Sequence, residues 1–423
     1  METLDGKTIY QIFVRNYSEA GNFKSVTKDL ERIKELGVDI IYLMPIHEIG
    51  EVNRKGTYGS PYAIKDYFSI SKDLGTKRDL IFLINKAHEL GMSIILDMVF
   101  NHTAPDNVLV KEHLDYYYLS EEGMPGNRIG EWDDIIDLNV KKKEVQDYLI
   151  SVLRYWREYG FDGFRFDVAS IIPLEFFARA RLALGNDVLF FAESISPDFK
   201  RYLRKMQYYY EEDEDLLPTF DLLYNYNYLQ ELQDYLRVKD PEMFRDVVRA
   251  INKENIIHHD IIRSNCLENH DVERVANNLN DSELINMLTM FISLRGCAFL
   301  YAGEEYGIKH KPELFEKDPV EWSLKNEELY YFVKELIELK KDFGVIEDQN
   351  IEEIGELSVY KMMIRNKEKE RVFLINLTGG PVLLEDILKE TYDGDLEAII
   401  KEKIDEGDII LTDPLIFTFL KDQ

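Results

Sequence analysis

Cysteine is nearly absent. Cys266 and Cys297 are the two in 423 residues. So few exclude a disulfide framework, and both sit in strand-like apolar surroundings where a free core thiol is the default. Long apolar runs are missing as well. The best candidate, Leu288 to Leu300, is broken by Arg295 and Gly296, so no stretch reads as a transmembrane helix. Met1 to Lys7 is polar and has no apolar signal region. Positive charge is scarce: 51 Lys and Arg stand against 80 Asp and Glu, for a net charge of −29. A polyanion repels nucleic acid and anionic membranes, so neither is expected as a partner. These absences together describe a soluble, cytoplasmic protein of undetermined oligomeric state.

What is abundant is apolar and aromatic. Hydrophobic residues make up 45% of the chain and aromatics 12%, with 26 Tyr and 23 Phe. A large core is within reach, and some rings exceed what a core needs. Apolar runs at Thr8 to Phe13, Asp39 to Met44 and Ser93 to Met98 alternate with amphipathic stretches at Ser25 to Leu36 and Lys77 to Leu90. Gly37 and Gly91 stop those two helices. Uniformly apolar strands between helices belong to a parallel sheet covered on both faces. The rhythm breaks over His102 to Asn139, which is too long for an ordinary connection. It resumes with a helix over Val140 to Tyr159 and strands at Phe164, Val188 to Ala192, Phe220 to Leu223, Ile262 to Leu267 and Cys297 to Tyr301. Asp281 is read as the cap of the helix before the last strand. Eight strand–helix units give an α/β fold, a (β/α)8 TIM barrel over 1–102 and 140–343, with 103–139 inserted after strand 3. Past Phe343, short β-type runs, Ala398 to Ile399 among them, predict a C-terminal antiparallel β domain, a sandwich over 344–423.

The stretch Gly160 to Asp167, Gly-Phe-Asp-Gly-Phe-Arg-Phe-Asp, stands out. A helix runs into Gly160, and aromatics then alternate with Asp162, Arg165 and Asp167. On a strand Arg165 and Asp167 share a face. Alone, the pair reads equally as a core ion pair or as an ionised carboxylate held ready for chemistry. The other strand ends add Asp97, Asn101 and His102 after strand 3, and Glu193 after strand 5. Glu268, Asn269, His270 and Asp271 follow strand 7, and Gly303, Glu304 and Glu305 follow strand 8. Gathering that many carboxylates is costly unless each is paired or used.

Four segments carry a resemblance. Asp97-Met-Val-Phe-Asn101-His102, Gly163-Phe-Arg165-Phe-Asp167, Phe191-Ala-Glu193-Ser and Glu268-Asn269-His270-Asp271 follow one another in order and spacing. They resemble the four sequence regions of the α-amylase family, glycoside hydrolase family thirteen. Gly59-Ser-Pro-Tyr62, Asp137-Leu-Asn139 and Gly296 through Glu304 add to the likeness. The resemblance implies a retaining α-glycoside hydrolase acting on α-glucans or maltooligosaccharides. Asp167 would be the nucleophile, Glu193 the acid/base, and Asp271 the third carboxylate. Arg165 would keep Asp167 ionised. His102 and His270 would donate to sugar hydroxyls, and Tyr62 would stack beneath the sugar. Asp97 would support Arg165.

The chain also departs from the family. Many amylases carry Lys and His three and four residues after the nucleophile, on the leaving-group side. Here Ser170 and Ile171 stand there, and Val168 follows the nucleophile directly. No cofactor is required by the resemblance, though it admits calcium on Asn101 with Asp106, Asp115, Asp133 or Asp134. The spacing of those residues is not that of a metal loop. Trp132 and Trp322 are candidate walls of the cleft, and Trp156 a core residue. A transglycosylase or isomerase-type relative would share the glycosyl-enzyme. A non-catalytic glycan binder typically loses one of the three carboxylates, all present here.

Overall fold

A computed structural model describes residues 4–130 and 132–420. Residues 1–3, 131 and 421–423, which fall in the expected barrel, insertion and C-terminal domain, lie outside the described residues. Eight parallel strands close a barrel in sequence order. They are β1 (Thr8–Ile12), β2 (Ile40–Leu43), β3 (Ser93–Met98), β4 (Gly163–Phe166), β5 (Leu189–Ala192), β6 (Leu222–Tyr224), β7 (Arg263–Asn265) and β8 (Cys297–Tyr301). Nearly every strand residue is buried. That is the reason the strands read as unbroken apolar runs rather than as alternations.

The chain divides into two compact units. The first holds Ile9–Tyr226 with His310–Ser323. Its helices form for local reasons. In α1 (Phe23–Glu35), Asn22 caps the Ser25 amide, and Phe23, Val26, Leu30 and Ile33 fall on one buried stripe. In α2 (Lys77–Glu89), Thr76 and Asp79 form a reciprocal capping box. The helix α3 (Lys143–Glu158) buries Val145, Leu149, Val152, Leu153 and Trp156. Gly160, at φ +108°, ends that segment and turns the chain into β4. Gly163 is needed for closeness: a Cβ there would lie 2.4 Å from the Leu189 carbonyl oxygen on β5. The helices α4 (Leu174–Leu184) and α5 (Pro197–Lys205) follow in this part, with shorter helical turns at Val108–Glu112 and Asp213–Leu216. The insertion after β3 is held by a two-residue pairing, His102 with Asp137 and Thr103 with Ile136.

The second unit holds Asn227–Lys309, the chain from Leu324 on, and the N-terminal residues through Thr8. Two helices follow β6, α6 (Tyr226–Val238) and α7 (Pro241–Ile257), with Asp240 capping the second. The cap of α8 (Asp281–Ser293) is Asn280, not Asp281. Its side chain and that of Glu283 form a capping box, and Asp281 falls one position inside, where its carboxylate still meets the positive helix end. After α9 (Glu327–Phe343), a sheet runs β9 (Asp348–Glu353), β10 (Val359–Arg365), β11 (Lys369–Asn376), β12 (Leu415–Leu420), each pair antiparallel. The sheet is tied to the barrel helices of its own unit: Asn252 and Asn255 of α7 bind β9 main chain, and Asn286 of α8 accepts from the Asn376 amide.

One expectation fails here. Ala398 and Ile399 are not a strand but lie in α11 (Gly394–Glu406), which follows α10 (Leu384–Glu390). Asp393 caps α11, Leu396 and Ile400 pack into the apolar cluster with Val359 and Leu374, and Ile399 is buried. Two adjacent apolar residues look alike on a strand and on a helix; the spacing to Leu396 decides.

Candidate active site

The chemistry of the first unit is laid out by register. Asp97 on β3 lies beside Arg165 on β4. The flanking Phe166 points away into Phe177 and Phe190, with ring centroids 5.2 and 5.0 Å off. Side chains alternate along a strand, so anchoring Phe166 outward turns Arg165 inward. The ladder then continues past the strand ends. The Asp167 amide donates to the Met98 carbonyl at 3.1 Å, and the Glu193 amide to the Phe166 carbonyl at 3.0 Å. Both carboxylates therefore start from fixed backbone.

One guanidinium joins three acids. Arg165 Nη1 donates to Asp97 Oδ1 at 2.9 Å and to Asp167 Oδ1 at 3.0 Å, and Nη2 lies 3.0 Å from Glu193 Oε2. The Nη2 contact is an ion pair out of line for a hydrogen bond. Burial works against the charge on Arg165, but Asp97 and Glu193 outweigh it and hold the group protonated above its ordinary range. The Asp97 and Arg165 side chains are fully buried, whereas those of Asp167 and Glu193 are each 11% exposed. The first two are closed off, and the second two keep an opening to solvent. Asp97 thus supports Arg165, as the motif implied.

Two tyrosines complete the network. Tyr42 Oη donates to Asp97 Oδ2 at 2.6 Å and Tyr62 Oη to the same oxygen at 3.0 Å. Tyr62 is half-buried, and Arg165 lies 6.0 Å from its ring centroid. Tyr42 was not expected here. Burial pushes its hydroxyl well above the usual range, so it is a permanent donor. The one available signal was a hydroxyl inside the strand Ile-Ile-Tyr-Leu, where a buried Tyr must find a partner. Tyr224 at the end of β6 was missed too. Its ring lies 4.5 Å from Phe191 and 5.8 Å from the Arg165 guanidinium.

His102 is buried, and burial pushes its pKa down to about 4 although Asp137 and Asp134 oppose this. It is a neutral imidazole at pH 7. Its Nδ1 lies 3.3 Å from the Asn101 amide nitrogen. With that nitrogen donating to Nδ1, the ring proton sits on Nε2. The residues after Asp167 face an apolar cluster: Val168 and Ile171 pack with Ile129, Ile195, Leu203, Phe199, Tyr208 and Tyr210. Ser170 is fully buried. Tyr208 Oη donates to the Arg128 carbonyl at 2.6 Å, and the Arg128 guanidinium lies 3.3 Å from the Tyr118 ring centroid. The insertion and the chain after β5 are so joined.

The tryptophans separate. Trp156 is core, as expected; Trp132 is 49% exposed. Trp322 donates to the Tyr17 carbonyl and packs on the Tyr17 ring. The residues that a calcium ion would need are engaged elsewhere: Asp106 accepts from the Glu51 amide, Asp134 pairs with Lys55, and Asp115 with Lys142. Among the described residues no three His, Cys, Asp or Glu side chains gather as a ligand set. These residues do not fit the ion, and no step below runs through it.

In the second unit, Asn269 Oδ1 accepts from the amides of Asp271 and Val272 at 2.9 and 3.3 Å, a turn that presents His270 and Asp271. His270 Nε2 lies 3.3 Å from Asp271 Oδ2; the His side chain is buried and that of Asp271 is 49% exposed. Glu268, Glu304 and Glu305 are structural. Glu268 pairs with the buried Arg274 at 2.5 Å and accepts from the Val275 amide. Glu304 and Glu305 accept from the Tyr301 and Gly303 amides and so close the turn after β8. Burial and the neighbouring Glu268 push the Glu304 carboxyl well above its ordinary value. Both cysteines are buried and neither is in a disulfide. No helix of the described residues is long and apolar enough to cross a membrane.

A model of the alpha amylase catalytic domain matches residues 9–127 and 131–329. The chain belongs to the α-amylase family. Alpha-amylase 2 of Dictyoglomus thermophilum is 26% identical, with 88% of this chain and 71% of the relative aligned. A cyclomaltodextrinase of Geobacillus thermopakistaniensis is 27% identical over 77% of this chain and 56% of its own length. Among solved structures, an alpha-amylase from Lactobacillus plantarum is 33% identical, with a TM-score of 0.86 and 98% and 99% of the two chains covered. This α-amylase family member is a glycoside hydrolase by that relationship, and the barrel with its C-terminal antiparallel sheet is the architecture the sequence predicted.

Proposed function

We propose that the protein is a retaining hydrolase of α-glucans or maltooligosaccharides, working in the cytoplasm, where its two buried thiols stay reduced. Asp167 attacks the anomeric carbon to form a glycosyl-enzyme, and Glu193 protonates the leaving oxygen and then activates water. The observation that carries this reading is the single guanidinium of Arg165 in contact with both carboxylates at 3.0 Å. A retaining pair needs two carboxyl groups on either side of one bond, about 5–5.5 Å apart, and a shared arginine keeps two acids that close without mutual expulsion. Asp271 enters by its position directly after β7 and would bind sugar hydroxyls. His102, as a neutral donor, and His270 would do the same, with Tyr62 beneath the ring.

A second reading has its own support. A 4-alpha-glucanotransferase of Thermotoga neapolitana is 24% identical over 74% of this chain, and the residues following Asp167 meet an apolar wall rather than charged groups. A drier leaving-group side favours a sugar acceptor over water. Two measurements decide. Asp167→Asn should lower turnover at least about 10⁴-fold with an unchanged circular dichroism spectrum; a normal rate would refute the nucleophile. Products from maltose, maltoheptaose, isomaltose and sucrose should all be shorter than the input. Longer products would replace hydrolysis by transfer.

A further inference from the structure

Val168, the residue after Asp167, has φ 39° and ψ 46°. A β-branched residue in the left-handed region is a true outlier, because its Cβ crowds the backbone. Such strain persists only where the surroundings impose it. Here the Asp167 amide is fixed to the Met98 carbonyl, the Val168 carbonyl accepts from the Ile171 amide at 3.0 Å, and the side chain is packed in the apolar cluster. The consequence is directional. The Val168 N–H points at Glu193 and donates to Oε2 at 2.6 Å. Arg165 Nη2 approaches that same oxygen at 3.0 Å.

We propose that Val168 is a positioning residue: its inward N–H commits Oε2 of Glu193 and so places the catalytic proton on Oε1. A hydrogen bond from the Val168 N–H and the positive charge of Arg165 beside the same oxygen make it the poorer base, and the proton then resides on the other. This rests on the acid/base reading of Glu193 above and adds which oxygen acts and what assigns it. In the first step Oε1 gives its proton to the glycosidic oxygen as the C1–O bond breaks. The bonding pair stays on that oxygen, and an Asp167 oxygen bonds C1. In the second step water bonds C1 and passes a proton to Oε1, and Asp167 leaves with its electron pair. Oε2 stays bound to Val168 throughout. Arg165 bears on Glu193 directly and, through it, so do Asp97 and Asp167.

The test replaces Val168 by its α-hydroxy analogue through nonsense suppression, which puts an oxygen where the N–H was. Losing a donor to the carboxylate should move the alkaline limb of the kcat/KM profile up by about one pH unit. A limb that stays where it is overturns the proposal. Val168→Gly keeps the N–H while removing the side chain and the strain, and its limb should stay near that of the native enzyme. A shift in the glycine variant as large as in the ester overturns the proposal as well, since the side chain would then be the cause. In parallel, Glu193→Gln should lose about 10³-fold on maltoheptaose and far less on a nitrophenyl α-glucoside, whose leaving group needs little acid help. Equal losses on the two substrates would remove Glu193 as the acid, and the proposal would fall with that reading rather than through Val168.

Discussion

Tyr42 acts on the arginine–carboxylate network from a fully buried position behind it. Its hydroxyl and that of Tyr62 share Asp97 Oδ2, and Asp97 in turn orients Arg165. Removing a donor from a buried, charged acceptor costs about 1.5 kcal/mol. Tyr42→Phe should therefore lower kcat/KM about tenfold with the fold retained, as read by kinetics alongside a melting curve. His47 is a different case. It is buried, its two ring nitrogens have no hydrogen-bond partner, and burial pushes its pKa down to about 3. The unfolded chain takes up a proton near pH 6.5 and the folded one does not, so the neutral ring's contribution is intact above that pH and is lost as pH falls from 6.5 toward 3. His102 acts the same way down to about 4. His47→Leu should narrow the gap between Tm at pH 5 and at pH 8 by a few degrees. An unchanged gap would mean that the ring is solvated after all.

At the scale of elements, the insertion after β3 and the chain after β5 act as one wall. Ile129 meets Ile195 and Leu203, and Tyr208 reaches the Arg128 carbonyl. Arg128 itself is held by Asp137, its amide at 2.9 Å and Nε at 3.3 Å from Oδ2. Asp137 pairs in register with His102, so the wall is continuous with a proposed sugar contact. Tyr208→Phe deletes one hydrogen bond of about 1 kcal/mol. Local opening should then become about fivefold more frequent, seen as faster limited proteolysis between residues 118 and 130. Cleavage at the native rate would show that the apolar contacts alone hold the wall.

For the whole molecule, the dominant quantity is charge. A net −29 on one chain repels itself, and many of the surface cations are already spent in local pairs such as Lys86–Glu31 and Lys65–Glu51. Such exposed pairs contribute little individually. Screening should therefore help more than it harms. Raising the salt from about 0.02 M to about 0.5 M shortens the Debye length from tens of ångströms to a few, and Tm should rise. A fall in Tm would mean that the surface pairs outweigh the net repulsion.

The sequence by itself determined the barrel, its order and the candidate carboxylates. Buried parallel strands must be apolar throughout, and a charge at the end of such a strand is conspicuous for that reason. It also placed Trp156 in the core. It did not determine the cap at Asn280 or the helix over Ala398 and Ile399, because short polar and apolar words fit two conformations until neighbours choose. Nor could it find Tyr42, whose hydroxyl matters only because β2 sets it against Asp97 on β3. The left-handed turn at Val168 was equally hidden. Nothing in a valine announces strain, and only the packing of the segment after β4 imposes it. Where the two inward contacts of Glu193 converge on one oxygen, the tertiary structure alone decided.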